Sequence, residues 1–288
     1  MNGVLIIDKP SGWTSMDVCA KLRGVFHEKR VGHGGTLDPM ATGVLPVFLG
    51  RATRAVEFAT DSDKEYIAGL QLGVITNTQD TTGEVLEQHP VTFGQDKLEA
   101  ILPRFTGEQE QLPPMFSAIK KDGKKLYELA RKGIEVERKS RSIVIKELEL
   151  LEQTEENTYT LRVLCSKGTY VRTLCHDIGL ALGCGGAMCS LRRSMAAGYT
   201  LNDAVSLDQV LSAVDPTAYV RPVDTCFASF PTLTITDKAL FKAKNGSPFL
   251  TDAEDGCYRV YDDNGNFLLI GRCVDGTVTT IKSFFEVT

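Results

Sequence analysis

The sequence has no CxxC pair, although it holds eight cysteines, at 19, 165, 175, 184, 189, 226, 257 and 273. Its four histidines (27, 33, 89 and 176) fall at no ligand spacing relative to cysteine pairs, which excludes the common zinc arrangements. His176 and Asp177 adjoin Cys175, but successive residues on a helix point apart. No metal is expected, and the thiols read as small core residues. Long apolar runs are missing as well. The first, "VLII" at 4 to 7, meets Asp8 and Lys9 at once and is far too short for a signal peptide or a membrane span. A cytoplasmic protein with no membrane partner is expected. There is no P-loop, because "GHGG" lacks the following GK[ST], and there is neither a GxSxG nor a Ser/His/Asp set.

What is present is the composition of an ordinary soluble protein, 42% apolar and 24% charged. Its 288 residues suit one large domain and a smaller companion. The net charge of −5 argues against a nucleic-acid binder, but the average hides an asymmetry. Residues 115 to 146 hold ten Lys/Arg (120, 121, 124, 125, 131, 132, 138, 139, 141, 146) against four acids (122, 128, 135, 137). That is +6 locally, within a chain total of −5, so the remainder carries −11. Such a run is either a solvated hairpin or a projection that meets phosphates at one place only.

The opening "GVLIIDKPSGWTSMDVCAKLRGVF" reads as a strand, a Pro/Gly turn and a helix begun by Thr14 or Ser15, with Val18, Leu22 and Val25 as its buried stripe. "GVLPVFLG" is a buried strand and "RATRAVEFAT" a short helix. "KEYIAGLQLG" alternates as a strand does, with Tyr66, Ala68, Leu70 and Leu72 on one face. "NTQDTTGE" reads as an exposed loop, and "DKLEAILPRF" as a helix ending near Pro103. "SIVIKELELLE" and "TYTLRVLCSKG" form an antiparallel hairpin. In "GTYVRTLCHDIGLALG", Val171, Leu174, Cys175, Ile178 and Leu182 share a helical face, with Arg172, Thr173 and His176 on the other. "AMCSLRRS" reads as a strand and "LNDAVSLDQVL" as a helix. The class is α+β around a mixed or antiparallel sheet. Composition changes near 228 to 232, and beyond a short helix the chain is nearly all strand, through "VTTIKSFFEV". Closely spaced hairpins predict a small β-barrel of about sixty residues.

The most pointed stretch is "GHGGTLDPMATGVLPV", residues 32 to 47, in which Gly32, Gly34, Gly35, Gly43 and Pro39 shape a loop around one acid, Asp38. An Asp in such a loop commonly builds an Asx-turn or a cap. It becomes a nucleophile only with a cation to keep it ionised and an apolar wall to exclude water. Arg172 offers the cation. Tyr66 and Tyr170 offer rings with a polar tip, His33 a loop cap, and "LRR" at 191 to 193 a surface strand or a phosphate contact.

"GHGGTLDPMATGVLPV" closely resembles the catalytic motif of the TruB family of tRNA pseudouridine synthases, written GHxGxLDPxAxGxL. "GVLIIDKPSGWTS" is similar to that family's opening motif, "DSDKEY" to the segment bearing its active-site tyrosine, and "LPPMFSAIKKDGKKLYELARKG" to its RNA-facing insertion. "SKGTYVRTLCHDIG" and "LRRS" look like its remaining active-site motifs, and the β-rich tail like its PUA domain. Gly34 and Thr36 stand where relatives often have Thr and Ala.

The resemblance implies a catalytic domain over 1–228, with a basic insertion at about 112–142, and a PUA-like RNA-binding domain over 229–288. It implies isomerisation of uridine 55 in the T-loop of tRNA by a monomer, with base flipping and no cofactor. Asp38 matches the essential aspartate and Arg172 the arginine that pairs with it. Tyr66 matches the tyrosine that packs on the flipped base, and His33 the histidine at the place the base vacates. Tyr170 and Leu191 match residues lining the uracil pocket. The glycines are expected to let the loop approach RNA, and Pro39 to aim Asp38. Two other readings stand beside this one. One is a catalytically silent tRNA-binding or folding protein on the same scaffold. The other is a hydrolase with an Asp nucleophile, which lacks the second carboxylate that glycoside hydrolysis would want.

Overall fold

The structure is a computed structural model that describes residues 1–121 and 123–285. Asp122 of the basic segment, Glu286 and Val287 of the expected last strand, and Thr288 lie outside the described residues. The main body is a ten-stranded sheet. Its principal elements are β1 (Gly3–Lys9), α1 (Ser15–Phe26), β2 (Thr42–Leu49), β3 (Lys64–Leu72), β4 (Gly107–Gln111), β5 (Arg141–Glu155), β6 (Thr158–Cys165), α2 (Val171–Leu182), β7 (Gly186–Ala196) and β8 (Val205–Ser206). The strand order is β8-β1-β2-β7-β3-β6-β5-β4, with Val31–His33 added to β2 and Tyr199–Thr200 to β7. β8 with β1 and β2 with β7 are parallel, and the other neighbours on this path are antiparallel. The architecture is the α+β, mixed-sheet class that the strand patterns imply.

The patterns that set these elements are local. Along β6, Tyr159, Leu161, Val163 and Cys165 are buried in strict alternation, as a strand with one covered face requires. Tyr66, Ala68, Leu70 and Leu72 of β3 face the same core, and Val171, Leu174, Cys175, Ile178 and Leu182 of α2 cover it. Each such apolar side chain contributes about 1.5–3 kcal/mol on burial, before the entropy of ordering is counted. α1 begins in a capping box in which the Asp17 amide donates to Thr14 Oγ1 at 3.0 Å and the Thr14 amide to Asp17 Oδ2 at 3.0 Å. Val18 and Leu22 then pack on β1 and β2 in a second core, with Leu5, Ile7, Leu45 and Val47. The segment read as one helix, "LNDAVSLDQVL", is divided. Thr200 starts a 3₁₀ turn (Leu201–Asp203) and Ser206 a separate helix (Leu207–Ser212), with β8 between them. Two capping signals so close together restart the backbone instead of continuing it.

The tail folds as β9 (Thr232–Thr234), α3 (Asp237–Lys244), β10 (Phe249–Leu250), β11 (Gly256–Tyr261), β12 (Phe267–Val274) and β13 (Thr277–Ser283), in the order β9-β11-β12-β13-β10. β9 and β10 are the free ends of this path, so the described residues make a curled half-barrel. The tail is tied to the body by aromatic rings. Phe58 meets Phe227 edge-on at 5.1 Å, and Phe227 lies 5.8 Å from Phe284 and 6.3 Å from Phe267. Tyr261 Oη donates to Asp224 Oδ2 at 2.6 Å, and Lys282 pairs with Glu57.

Phe227, only 2% exposed, is the hub of this joint. Phe227→Ala should cost about 3–5 kcal/mol in urea unfolding, the usual penalty for emptying an aromatic site. A change below about 1 kcal/mol would show that the joint does not depend on it.

Candidate active site

The glycine loop is pinned on both sides of its acid. Ser15 Oγ, at the start of α1, accepts from the Leu37 amide at 2.9 Å. Lys9, at the end of β1 and wholly buried, donates its Nζ to the carbonyls of Pro10 (2.9 Å), Trp13 (2.6 Å) and Pro39 (3.3 Å). The Gly12 amide also donates to the Pro39 carbonyl, at 2.8 Å. Leu37 and Pro39 are thus fixed, and Asp38 between them has one direction in which to point. Burial brings the Lys9 ammonium down to about 8, although the negative charge of Asp38 opposes the fall. The close approaches that the glycines permit here are to protein. A Cβ on Gly34 would stand 2.6 Å from Ala59 Cβ, and Gly43, at φ +102°, would drive one into the backbone carbonyl of Arg193 at 2.2 Å.

Asp38 points at Arg172. Arg172 Nε lies 3.0 Å from Asp38 Oδ2, and Nη2 lies 3.5 Å from Oδ1. The arginine occupies the first turn of α2, whose start is held by Gln111 at the end of β4: Gln111 Oε1 accepts from the Tyr170 amide (2.8 Å) and Nε2 donates to the Tyr170 carbonyl (3.1 Å). The other donors of the guanidinium reach the Phe116 carbonyl (2.9 Å), the Thr78 carbonyl (3.2 Å) and Asp80 Oδ2 (3.4 Å). Arg172 and Asp80 are buried, while 35% of the Asp38 side chain is open to solvent. Burial raises the Asp38 carboxyl above its ordinary value; Arg172 pulls it down, Asp80 pushes it up and Lys9 pulls it down. The result is a carboxyl group paired with a cation yet open to an incoming molecule, which is what a nucleophile or a base requires.

Two expectations are corrected here. "NTQDTTGE" is not simply an exposed loop. Asp80 is 5% exposed and folds the loop around itself, accepting from the Thr82 amide (3.0 Å) and Thr78 Oγ1 (2.9 Å). Thr173 Oγ1 adds a 2.7 Å bond to Gln79 Oε1, so α2 and this loop are sewn together. The face of α2 read as polar is therefore buried at Arg172 and Thr173.

The other expected residues gather less directly. Tyr66 and Leu191 belong to one apolar cluster with Leu37 and Ala41, which flank Asp38 in the loop. The Tyr66 and Tyr170 phenols are pushed up by burial and stay neutral, and the charge of Asp38 adds to both rises. His33, at the edge of the loop, has a buried Nδ1 with no hydrogen-bond partner among the described residues, and burial followed by the charge of Arg193 holds the ring below its ordinary value. Of the two arginines in "LRR", Arg192 pairs with Asp8 at 2.8 Å, half-exposed, while Arg193 turns inward and is 1% exposed. Lys9, Asp80, Gln111 and Arg193 were not singled out from the sequence. The signal available was weak: an Asp before Thr-Thr-Gly, a Lys closing an apolar strand, and a second Arg that alternation turns to the opposite face from the first.

The root of the basic insertion supplies the Phe116 carbonyl to this site. Farther out, Lys120–Lys121 pairs with Lys124–Lys125 as a two-stranded ribbon. Lys146 is paired with Asp63 and Arg138 with Glu135. No helix among the described residues is long and apolar enough to cross a membrane.

Comparison with known proteins agrees with this geometry. The model of the TruB family pseudouridylate synthase N-terminal domain matches residues 23–171, and that of the tRNA pseudouridylate synthase B C-terminal domain matches residues 172–228. The chain is 44% identical over 284 residues to tRNA pseudouridine synthase B of Ectopseudomonas mendocina, covering 96% of this chain and 92% of that protein. It is 42% identical over 291 residues to the protein of the same name from Clostridium kluyveri, covering 99% and 100%. Among solved structures it resembles one in a Cbf5-Nop10-Gar1 complex, with a TM-score of 0.75 at 25% identity over 98% of this chain and 85% of that one. Family models that together span residues 23–228, and relatives 42% and 44% identical over nearly the whole length, settle the kinship: the chain belongs to the TruB family and is a pseudouridine synthase.

Proposed function

We propose that the enzyme isomerises uridine 55 in the T-loop of tRNA, and that Asp38 acts directly on the ribose or the base. In this reaction the bond from N1 to C1′ breaks, the uracil turns, and C5 is joined to C1′. No atom is gained or lost, so no cofactor is called for. A base stacked within the loop must first be flipped into the pocket. The observation that carries the reading is the partly open Asp38 carboxylate against a buried Arg172. Leu37, Ala41, Tyr66 and Leu191 supply the apolar wall on which a flipped uracil packs, Tyr170 completes the pocket, and neutral His33 stands at the rim to brace the vacated place.

The basic ribbon of the insertion is assigned to the phosphates of the T-arm, and the tail beyond 228, as a PUA-like domain, to a second stretch of tRNA. The division is 1–228 and 229–288, the first part holding all the proposed catalytic residues. The enzyme works as a monomer in the cytoplasm, where tRNA is. A silent tRNA-binding scaffold would have no use for Asp38 and Arg172 at 3.0 Å with Asp80 behind them.

Asp38→Asn keeps the shape of the side chain and removes the anionic oxygen. Turnover should fall at least about 10²-fold toward background, with tRNA affinity retained or improved. Near-normal pseudouridine yield would reduce Asp38 to a turn-former, since Asn caps turns equally well.

The pH profile gives a second check. Because the carboxyl is raised and must be ionised to act, activity should fall on the acid side above the ordinary Asp value of about 3.9. The same group costs stability at neutral pH. Its folded value exceeds its unfolded one, so the cost is full above the folded value and gone below the unfolded one. Asp38→Asn should therefore melt higher than wild type at pH 7, with the gap closing toward pH 4. An equal or lower melting point at pH 7 would contradict the raised carboxyl.

Replacing Lys120, Lys121, Lys124 and Lys125 with Gln should weaken tRNA binding and flatten the slope of log affinity against log salt by up to about 3. Turnover at saturating tRNA should change much less. Unchanged affinity would make the ribbon a solvated face.

A further inference from the structure

Beneath the catalytic loop lie three buried cations that have no carboxylate in ion-pair contact among the described residues. Lys9 donates to the carbonyls of Pro10, Trp13 and Pro39. Lys64 donates to those of Ala59, Thr60 and Ser62. Arg193 has its Nε 2.7 Å from the Val44 carbonyl and its Nη2 3.2 Å from that of Gly35. Burying an unpaired charge is expensive, so each of these is retained for what its donors hold in place. Arg193 is among the largest fully buried side chains of the described residues.

Its placement is specific. On β7 the backbone of Arg193 stands opposite Gly43 of β2 on one side and Tyr66 of β3 on the other. Its guanidinium then spans the loop that carries Asp38, with Gly35 before the acid and Val44 after it. Arg193 is the cross-strand neighbour of Tyr66, and its positive charge opposes the upward push of burial on the Tyr66 phenol. One rigid fork thus holds both ends of the aspartate loop from the strand position paired with Tyr66, the ring assigned to the flipped base. A lysine, with a single nitrogen on a flexible stem, cannot hold both ends in the same geometry.

We propose that Arg193 is a positioning residue that sets the distance and angle between Asp38 and Tyr66, and hence between the acting carboxylate and the flipped uracil. The proposal rests on the roles given above to Asp38 and Tyr66. It differs from a packing role in one respect: the effect of Arg193 on turnover must pass through the Tyr66 hydroxyl.

The test is a double-mutant cycle on the full-length enzyme with unmodified tRNA transcript, using Arg193→Met, Tyr66→Phe and the pair, with Arg193→Lys as a milder arm. Arg193→Met should lower kcat at saturating tRNA about 100-fold, the order expected when reacting groups are displaced by about 1 Å, with tRNA Kd within threefold of wild type. Arg193→Lys should recover part of that loss. In the Tyr66→Phe background, Arg193→Met should cost at least tenfold less than alone. Losses that multiply fully in the double variant, or a folded Arg193→Lys or Arg193→Met enzyme with kcat within threefold of wild type, would overturn the proposal. If Arg193→Met does not fold, the same cycle is run with Arg193→Lys, and full additivity there overturns it equally. Asp38→Asn measured in parallel separates the two ideas. An active Asp38→Asn enzyme defeats the reading of Asp38, whereas an inactive one with an additive cycle defeats only the role of Arg193.

Discussion

One guanidinium organises the site. Arg172 is shared between Asp38, at 3.0 Å, and Asp80, at 3.4 Å, and bonds two backbone carbonyls besides. Four segments therefore converge on one side chain: the glycine loop, the loop around Asp80, the root of the basic insertion and the start of α2. A buried arginine needs an enclosed acid beside it; here that acid is Asp80, and removing such a partner, which leaves the arginine uncompensated, typically costs about 3–5 kcal/mol. The arrangement also gives the two acids different work. Asp80 is enclosed and committed to its own loop, so it is structural. Asp38 faces outward and is left with oxygens to use.

The sheet supplies the rigidity this requires. β2 carries the glycine loop on one end and lies next to β7, which in turn lies next to β3 with Tyr66. Three adjacent strands thus hold the acid, the buried arginine beneath it and the aromatic ring. Behind them, Phe48 and Ala59 share a core with Phe227, Ile270 and Phe284, so the tail packs on the reverse side of the strand that feeds the catalytic loop. The tail and the body are joined through packed side chains rather than through a free linker.

Much of this was legible in the sequence because it depends on short-range pattern. The alternation of β6, the apolar stripe of α2 and the capping box of α1 each need only their own residues. The loop around Asp38 announced itself by its glycines and proline. Arg172 was offered there as the cation for Asp38, but its second acid was not foreseen, because Asp80 lies 92 residues away and no local rule foretells which polar residue will be buried. Asp80 sat in a stretch whose composition reads as solvent-exposed, and Lys9 in one that reads as the end of a strand. Arg193 was hidden by its neighbour Arg192, which has the same chemistry and the opposite face. Barrel closure in the tail was likewise beyond local pattern, because it depends on whether β9 and β10 meet.

The central claim is that this pocket flips and isomerises one uridine of the T-loop. Incubating the enzyme with unmodified tRNA transcript and mapping pseudouridine by chemical labelling tests it most directly. The account predicts a single modified position, at uridine 55, approaching one pseudouridine per tRNA. A folded enzyme that leaves that uridine unchanged, or modifies a different one, would contradict it.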